Sequence, residues 1–365
     1  MLYWRIVAFL SASGSTLANV TDDSESAPLQ AAATTPASSS ATPAAALPAD
    51  EARRRRDGLI LGIGGYLFWG SMPLVFAAAA PAGAFEILAH RIIWCLVFCA
   101  LLLAFARGLK RTWDLARKPK IFGTLAAASL FVGINWLVFI LGVQAGRVTE
   151  VALGYYINPL ITVALGIIFL RERLRPLQWT AMGLGLVSVL VITISEGIVP
   201  WLGLAVAISF GLYGLVKSKV GSRVGALEGL TIESFILTLP SIVILAVVEA
   251  NGLGTFTTEG SWHTVLLLFM GPITAIPLLL FSAATRRIPL SWVGMMQYIT
   301  PTIQFLTALL IFGEHMSRGQ WWGFIIIWVT VALIGADSIR AGNRARRAKR
   351  AVQNTPNTAG GPEAG

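Results

Sequence analysis

Tyr155-Tyr156-Ile157-Asn158-Pro159 and, 142 residues later, Gln297-Tyr298-Ile299-Thr300-Pro301 are two versions of one segment. The offset extends outward from them. Glu86, Pro159, Glu172 and Trp179 recur as Glu228, Pro301, Glu314 and Trp321, and Arg171-Glu172-Arg173 answers to Gly313-Glu314-His315. Both copies lie in strongly apolar sequence. A duplicated, apolar chain of this kind reads as a carrier in the membrane that rocks one half against the other around a central site.

Composition sets the solvent. Of the 365 residues 55% are hydrophobic and only 13% charged, where soluble domains carry ~25% charged residues. Ten apolar runs long enough to span a bilayer fall at about 58–79, 85–106, 121–143, 149–170, 176–196, 198–216, 228–249, 264–284, 290–312 and 318–338. The expected fold is an all-α polytopic membrane protein: ten transmembrane helices as two inverted five-helix repeats, over residues 58–197 and 198–340. The Ala/Pro/Ser/Thr-rich residues 1–57 read as a disordered tail, and 341–365 as a basic disordered tail.

The net charge of +10 records orientation in the membrane and not a nucleic-acid partner. With residue 57 on the cytoplasmic side, ten spans place 24 of the 28 Lys and Arg in inside segments and only Arg147 and Arg318 outside. That is the positive-inside bias. It predicts a multi-pass protein of the cell (inner or plasma) membrane with both termini cytoplasmic. Five spans per half turn the second repeat upside down. Accordingly, the link holding Arg171, Arg173 and Arg175 is basic, while its partner around Glu314 keeps the acid and sheds the bases.

Catalytic signatures are missing from the chain. There is no Gly-x-x-x-x-Gly-Lys-Ser/Thr phosphate loop and no nucleophile elbow. The three histidines, 90, 263 and 315, fall in different segments, so neither a metal site nor a cofactor is expected. Cys95 and Cys99 stand one turn apart on span 2 and read as small packing residues. The Gly58/Gly62 spacing is explained by packing within one chain, and a homodimer is left open.

Polar groups within the spans need a reason. Glu86, His90 and Arg91 open span 2. They read either as a helix-end charge with a snorkelling arginine or as an outer gate and anion contact. At the repeat offset Arg91 corresponds to Glu233, and each is expected to pair with a different partner as gates alternate. Asn135 and Trp136 sit mid-span in span 3; Tyr155, Tyr156 and Asn158 precede Pro159 in span 4, and Gln297 and Tyr298 precede Pro301 in span 9. Two proline-broken spans at matching places point to a midplane site, with Pro159 and Pro301 as hinges. Trp69-Gly70 resembles Tyr213-Gly214 and fits a cavity wall. Glu86, His90 or Glu150 could carry a proton.

These segments resemble one family. Glu86 to Trp94, Asn135-Trp136, Glu150 to Pro159, Phe169 to Arg173, Tyr213 to Val216 and Gln297 to Pro301 are similar to the EamA-type transporters of the drug/metabolite superfamily, within them the RarD-type permeases named for chloramphenicol sensitivity. The resemblance covers about 58 to 340. It implies export or facilitated movement of small organic solutes, such as amino acids or drug-like molecules, through a cavity near Trp69, Asn135, Tyr156, Asn158, Tyr213, Gln297 and Tyr298. The aromatic and amide lining suits an uncharged or zwitterionic solute. The rival classes are an enzyme acting on lipid-linked substrates and an accessory membrane subunit.

Overall fold

The computed structural model describes residues 49–170 and 176–353. The tail before Ala49, the Arg171-Glu172-Arg173 link and residues 354–365 lie outside the described residues. Within them the chain is helical: α1 (Ala49–Gly70), α2 (Met72–Ala78), α3 (Ala84–Phe105), α4 (Leu109–Ala116), α5 (Pro119–Gln144), α6 (Val148–Leu170), α7 (Pro176–Glu196), α8 (Trp201–Ser218), α9 (Ala226–Ala250), α10 (Ser261–Thr285), α11 (Leu290–Met296), α12 (Ile299–Leu310) and α13 (Arg318–Gln353). Among the described residues eight segments are long and apolar enough to cross a bilayer: α1 with α2, α3, and α5 to α10. The expected span 9 is divided into α11 and α12, and span 10 is the first part of α13.

Both expected tails are corrected at their inner edges. Residues 49–57 belong to α1 and 341–353 to α13. Ala, Arg, Lys and Glu are strong helix formers, and extending an existing helix avoids the cost of nucleation. Arg55 also pairs with Glu51 one turn back at 2.5 Å.

The packing is pseudo-symmetric and crosses between the repeats. α1 lies on α10 as α8 lies on α5, and α1 meets α12 as α8 meets α6. The pairs α3 with α9, α7 with α13 and α6 with α12 join equivalent spans. The repeats are therefore not two halves side by side. One bundle is α1, α10, α11 and α12; the other is α5, α6 and α8; α3 and α9 run between them. Each bundle draws helices from both repeats. Backbone contact holds the second bundle tight. A Cβ at Gly154 on α6 would lie 2.3 Å from the Gly203 carbonyl oxygen of α8, so nothing larger fits there.

The two prolines behave differently. α6 runs through Pro159 without interruption, while the chain leaves the helix at Gln297 and Tyr298, just ahead of Pro301. Proline deprives the carbonyl four residues back of its donor. At Pro301 the freed carbonyl is that of Gln297, within the two-residue turn that divides α11 from α12. Tyr66 of α1 holds both sides of the gap, its hydroxyl donating to the Val293 carbonyl at 3.2 Å and its own carbonyl accepting from Thr300 at 2.9 Å. Only one of the two expected broken spans is broken.

Candidate functional site

Asn135, 1% exposed, is the polar centre of the α5–α6–α8 bundle. Its amide donates to the Val206 carbonyl at 3.0 Å and to the Ser209 hydroxyl at 3.2 Å, and its oxygen accepts from the Tyr155 hydroxyl at 3.3 Å. Tyr155 meets Phe139 and Phe210 edge-on at 5.9 and 6.1 Å. Asparagine on a spanning helix must find partners, and here it finds them on two neighbouring helices, α6 and α8, at once. That makes Asn135 a clamp between helices as much as a lining residue.

Arg91 on α3 is 5% exposed and does not snorkel. Its Nε donates to Thr274 Oγ1 of α10 at 2.8 Å, its guanidinium lies 4.3 Å from the centre of the Trp136 ring, and Phe76 is at 5.4 Å. Among the described residues no carboxylate lies within ion-pair distance of it, and its Nη1 is buried with no hydrogen-bond partner. Close approach of α10 sets this geometry. A Cβ at Gly271 would sit 2.1 Å from the Trp94 backbone carbon, so glycine lets α10 press on α3 and brings Thr274 to the arginine.

Glu233, the repeat partner of Arg91, is 1% exposed and pairs with Lys217 of α8 at 2.8 Å. Tyr213 completes this trio, accepting from Lys217 at 2.5 Å and donating to Glu233 at 3.4 Å. Glu233 thus has a counter-ion in Lys217, whereas Arg91 has the Thr274 hydroxyl and two ring faces. Lys217 was legible only as an inside charge; one turn beyond Tyr213 on α8, it faces inward.

At the opposite end of α3, Glu86 is 2% exposed and accepts from the backbone amide and hydroxyl of Thr255 at 2.7 and 3.0 Å. Thr255 Oγ1 in turn meets His263 Nε2 at 2.8 Å. His90 stacks on Phe256 at 4.6 Å and accepts from Trp94 Nε1 at 3.1 Å. Glu86 and His90 share one face, and both hold the 255–256 turn. Nothing in the sequence marked Thr255.

Two further acids end helices across the fold. Glu314 accepts from the Val148 amide (2.6 Å), the Thr149 amide (2.9 Å) and the Thr149 hydroxyl (2.7 Å), so it caps α6 from the loop after α12. Glu150 accepts from the Leu202 amide at the start of α8 at 2.8 Å and pairs with Arg147 at 2.5 Å. Carboxylates belong at helix N-termini, where free N–H groups and the dipole meet them. This accounts for Glu314, the acid kept in the repeat. Both acids line an open cleft of about 370 Å³ with Glu196, His315 and Gln320.

The remaining candidates divide. Tyr156 turns away from Tyr155, bonding Thr302 of α12 at 2.8 Å and meeting Phe324 edge-on at 6.2 Å. Trp69 packs with Tyr66 and Phe281 at 5.8 and 5.9 Å. Gln297 and Tyr298 form the gap between α11 and α12, and Pro301 is buried just beyond. Asn158 Oδ1 is buried without a partner, as is Oε1 of Gln304, which is 2% exposed on α12. Gln304 was not singled out in the sequence, although three residues beyond Pro301 it is an amide on a spanning helix, the signal that marked Asn135. The structure therefore brings Trp136, Tyr155, Asn135 and Arg91 together, with Trp69 packed on the same core as Trp136 and Tyr155, and sets Tyr156 and Tyr298 in a separate core.

Interleaved helical repeats with buried polar groups between two bundles define the class: a multi-pass membrane transporter. The EamA-like transporter family model matches residues 56–194 and again 198–336, so the chain belongs to that family, and to its RarD type. It is 40% identical over 292 residues to Protein RarD of Streptomyces exfoliatus, covering 80% of this chain and 92% of that one. It is 36% identical to Protein RarD of Escherichia coli K12, over 79% of this chain and 97% of the relative. An uncharacterized transporter, YojE, of Bacillus subtilis is 37% identical over 78% and 95%. A solved crystal structure of a protein aligns with a TM-score of 0.51 at 16% identity, covering 76% of this chain and 97% of that one, which speaks to the fold alone.

Proposed function

We propose that this chain moves small organic solutes across the bacterial cell membrane by alternating access, as a secondary-active carrier or facilitator and not as an enzyme. The moving parts are the two composite bundles, not the two repeats. The observation that carries this is where the bundles are bonded. Among the described residues their mutual hydrogen bonds are those of Glu314 to Val148 and Thr149 and of Tyr156 to Thr302, with Gln144 reaching the Ala82 carbonyl at 2.7 Å beside them. With the basic loops inside and both termini cytoplasmic, all of these lie in the outer half of the membrane. This conformation is then closed outward, and release of those bonds opens the outer side.

The gap at Gln297–Tyr298 gives the first bundle a hinge that the second lacks. Chloramphenicol, from the name borne by some relatives, is one solute to try, beside amino acids and small metabolites. The test loads proteoliposomes with such a mixture and identifies, by mass spectrometry, which solutes leave faster than from protein-free vesicles. Selective loss of one chemical class is expected. A folded, inserted protein that speeds none of them overturns the reading.

A further inference from the structure

We infer that Arg91 is the anion-binding group of this carrier and that the transported solute bears a carboxylate; this rests on the transport reading above. A guanidinium removed from water is costly to hold unless it is paired. The protein nonetheless holds Arg91 5% exposed and supplies no carboxylate for it. It is fixed at one point only, the 2.8 Å bond from Nε to Thr274, and supported on one side by the face of Trp136. The ring faces offer partial compensation for the charge, yet Nη1 is left buried with no acceptor.

The contrast with the equivalent position is informative. Glu233, at the same place in the second repeat, has its own counter-ion in Lys217. The duplication therefore contains one neutralised buried charge and one that is not, and only the cation lacks its partner. Two acids of the neighbouring helix starts are taken: Glu86 is committed to Thr255 and Glu150 to Leu202 and Arg147. Among the described residues no carboxylate is left to pair with Arg91, and the solute is assigned that place.

The surroundings select the kind of anion. A planar, forked donor matches a carboxylate, and Trp136, Phe76 and Tyr155 offer apolar ring surface for an organic residue attached to it. A strongly hydrated inorganic anion gains nothing from such walls. Arg91 is closed over by these rings in the described conformation, so the solute meets it when the bundles part. A ligand that pairs with it in one state more than another shifts the balance between them.

The test uses the purified full chain in detergent. Unfolding temperature is followed against phenylacetate, hexanoate and L-phenylalanine, each beside its own primary amide, with sodium sulfate as the inorganic control. At least one acid is expected to bind roughly ten- to a hundredfold tighter than its amide, the range of a hydrogen bond to a charged group. That preference should vanish in Arg91→Met and weaken in Arg91→Lys. The acid-against-amide comparison on the unaltered protein stands even where a variant fails to fold. Three results overturn the inference: acids and amides acting alike, no acid acting at all, or an acid preference surviving in folded Arg91→Met. Sulfate reproducing an Arg91-dependent shift also overturns it, making the site one for inorganic anions. Proteoliposome flux separates the two levels. Flux of neutral amides without acid preference refutes the carboxylate and leaves transport standing; acid-specific binding without any flux refutes transport and leaves the site.

Discussion

Replacing Glu314 by Gln tests whether the outer bonds are a gate or a static brace. The carboxylate accepts three hydrogen bonds, two from backbone amides at the start of α6 and one from the Thr149 hydroxyl. Hydrogen bonds to a charged group contribute ~1.5–3 kcal/mol each, and charge at a helix N-terminus adds ~0.3–1 kcal/mol. Glutamine keeps one accepting oxygen and turns an NH2 toward donors that need an acceptor. The net loss is about 2–4 kcal/mol. If the bonds exist only in the outward-closed state, ~2 kcal/mol alone moves the balance roughly 30-fold toward outward-open. Ala152 reports this. It is wholly buried on α6, one turn from Tyr156 on the side of Glu314. In an Ala152→Cys protein with Cys95 and Cys99 changed to alanine, labelling from outside by a membrane-impermeant maleimide should accelerate by an order of magnitude or more on adding Glu314→Gln. A lowered unfolding temperature with unchanged labelling would refute the gate and make Glu314 a cap present in every state.

Lys217→Met strands the Glu233 carboxylate and should cost about 3 kcal/mol, as breaking a buried pair does. Adding Glu233→Gln should recover most of it, seen as a return of the unfolding temperature. Asn135→Ala removes three hydrogen bonds to two helices and should lower stability by ~1–3 kcal/mol, so lost flux in that variant counts only alongside a melting curve. Gly271→Ala drives a Cβ into the α3 backbone, an overpacking cost of ~1–3 kcal/mol or more, and should also abolish the acid preference by moving Thr274 off Arg91. Glu86→Gln should raise amide exchange in residues 251–260, measured by mass spectrometry, while leaving α6 as protected as before.

The membrane class, the repeat and most span boundaries were legible because each rests on a local property: runs of apolar residues, the sidedness of Lys and Arg, and the 142-residue echo of Glu86, Pro159, Glu172 and Trp179. The buried polar residues were legible for the same reason. Asn135, Arg91 and Glu233 stand out in any apolar helix. Their partners did not. Thr274, Thr255, Ser209 and Thr302 are ordinary residues in sequence, and only the crossing of α10 on α3, or of α8 on α5, gives them a role.

Periodicity also left the prolines equivalent, although α6 runs through Pro159 and span 9 is divided at Gln297 and Tyr298. Glu314 was seen as kept without a cause, because its ligands lie 165 and 166 residues away. The sequence by itself determined that this protein is a multi-pass membrane protein built from a repeated helical unit, since the solvent acts on each segment alone. The tertiary structure decided which helices pack into each bundle, which acid caps which helix and which buried charge has no carboxylate beside it among the described residues. Those follow from contacts between segments far apart in the chain, and no local pattern encodes them.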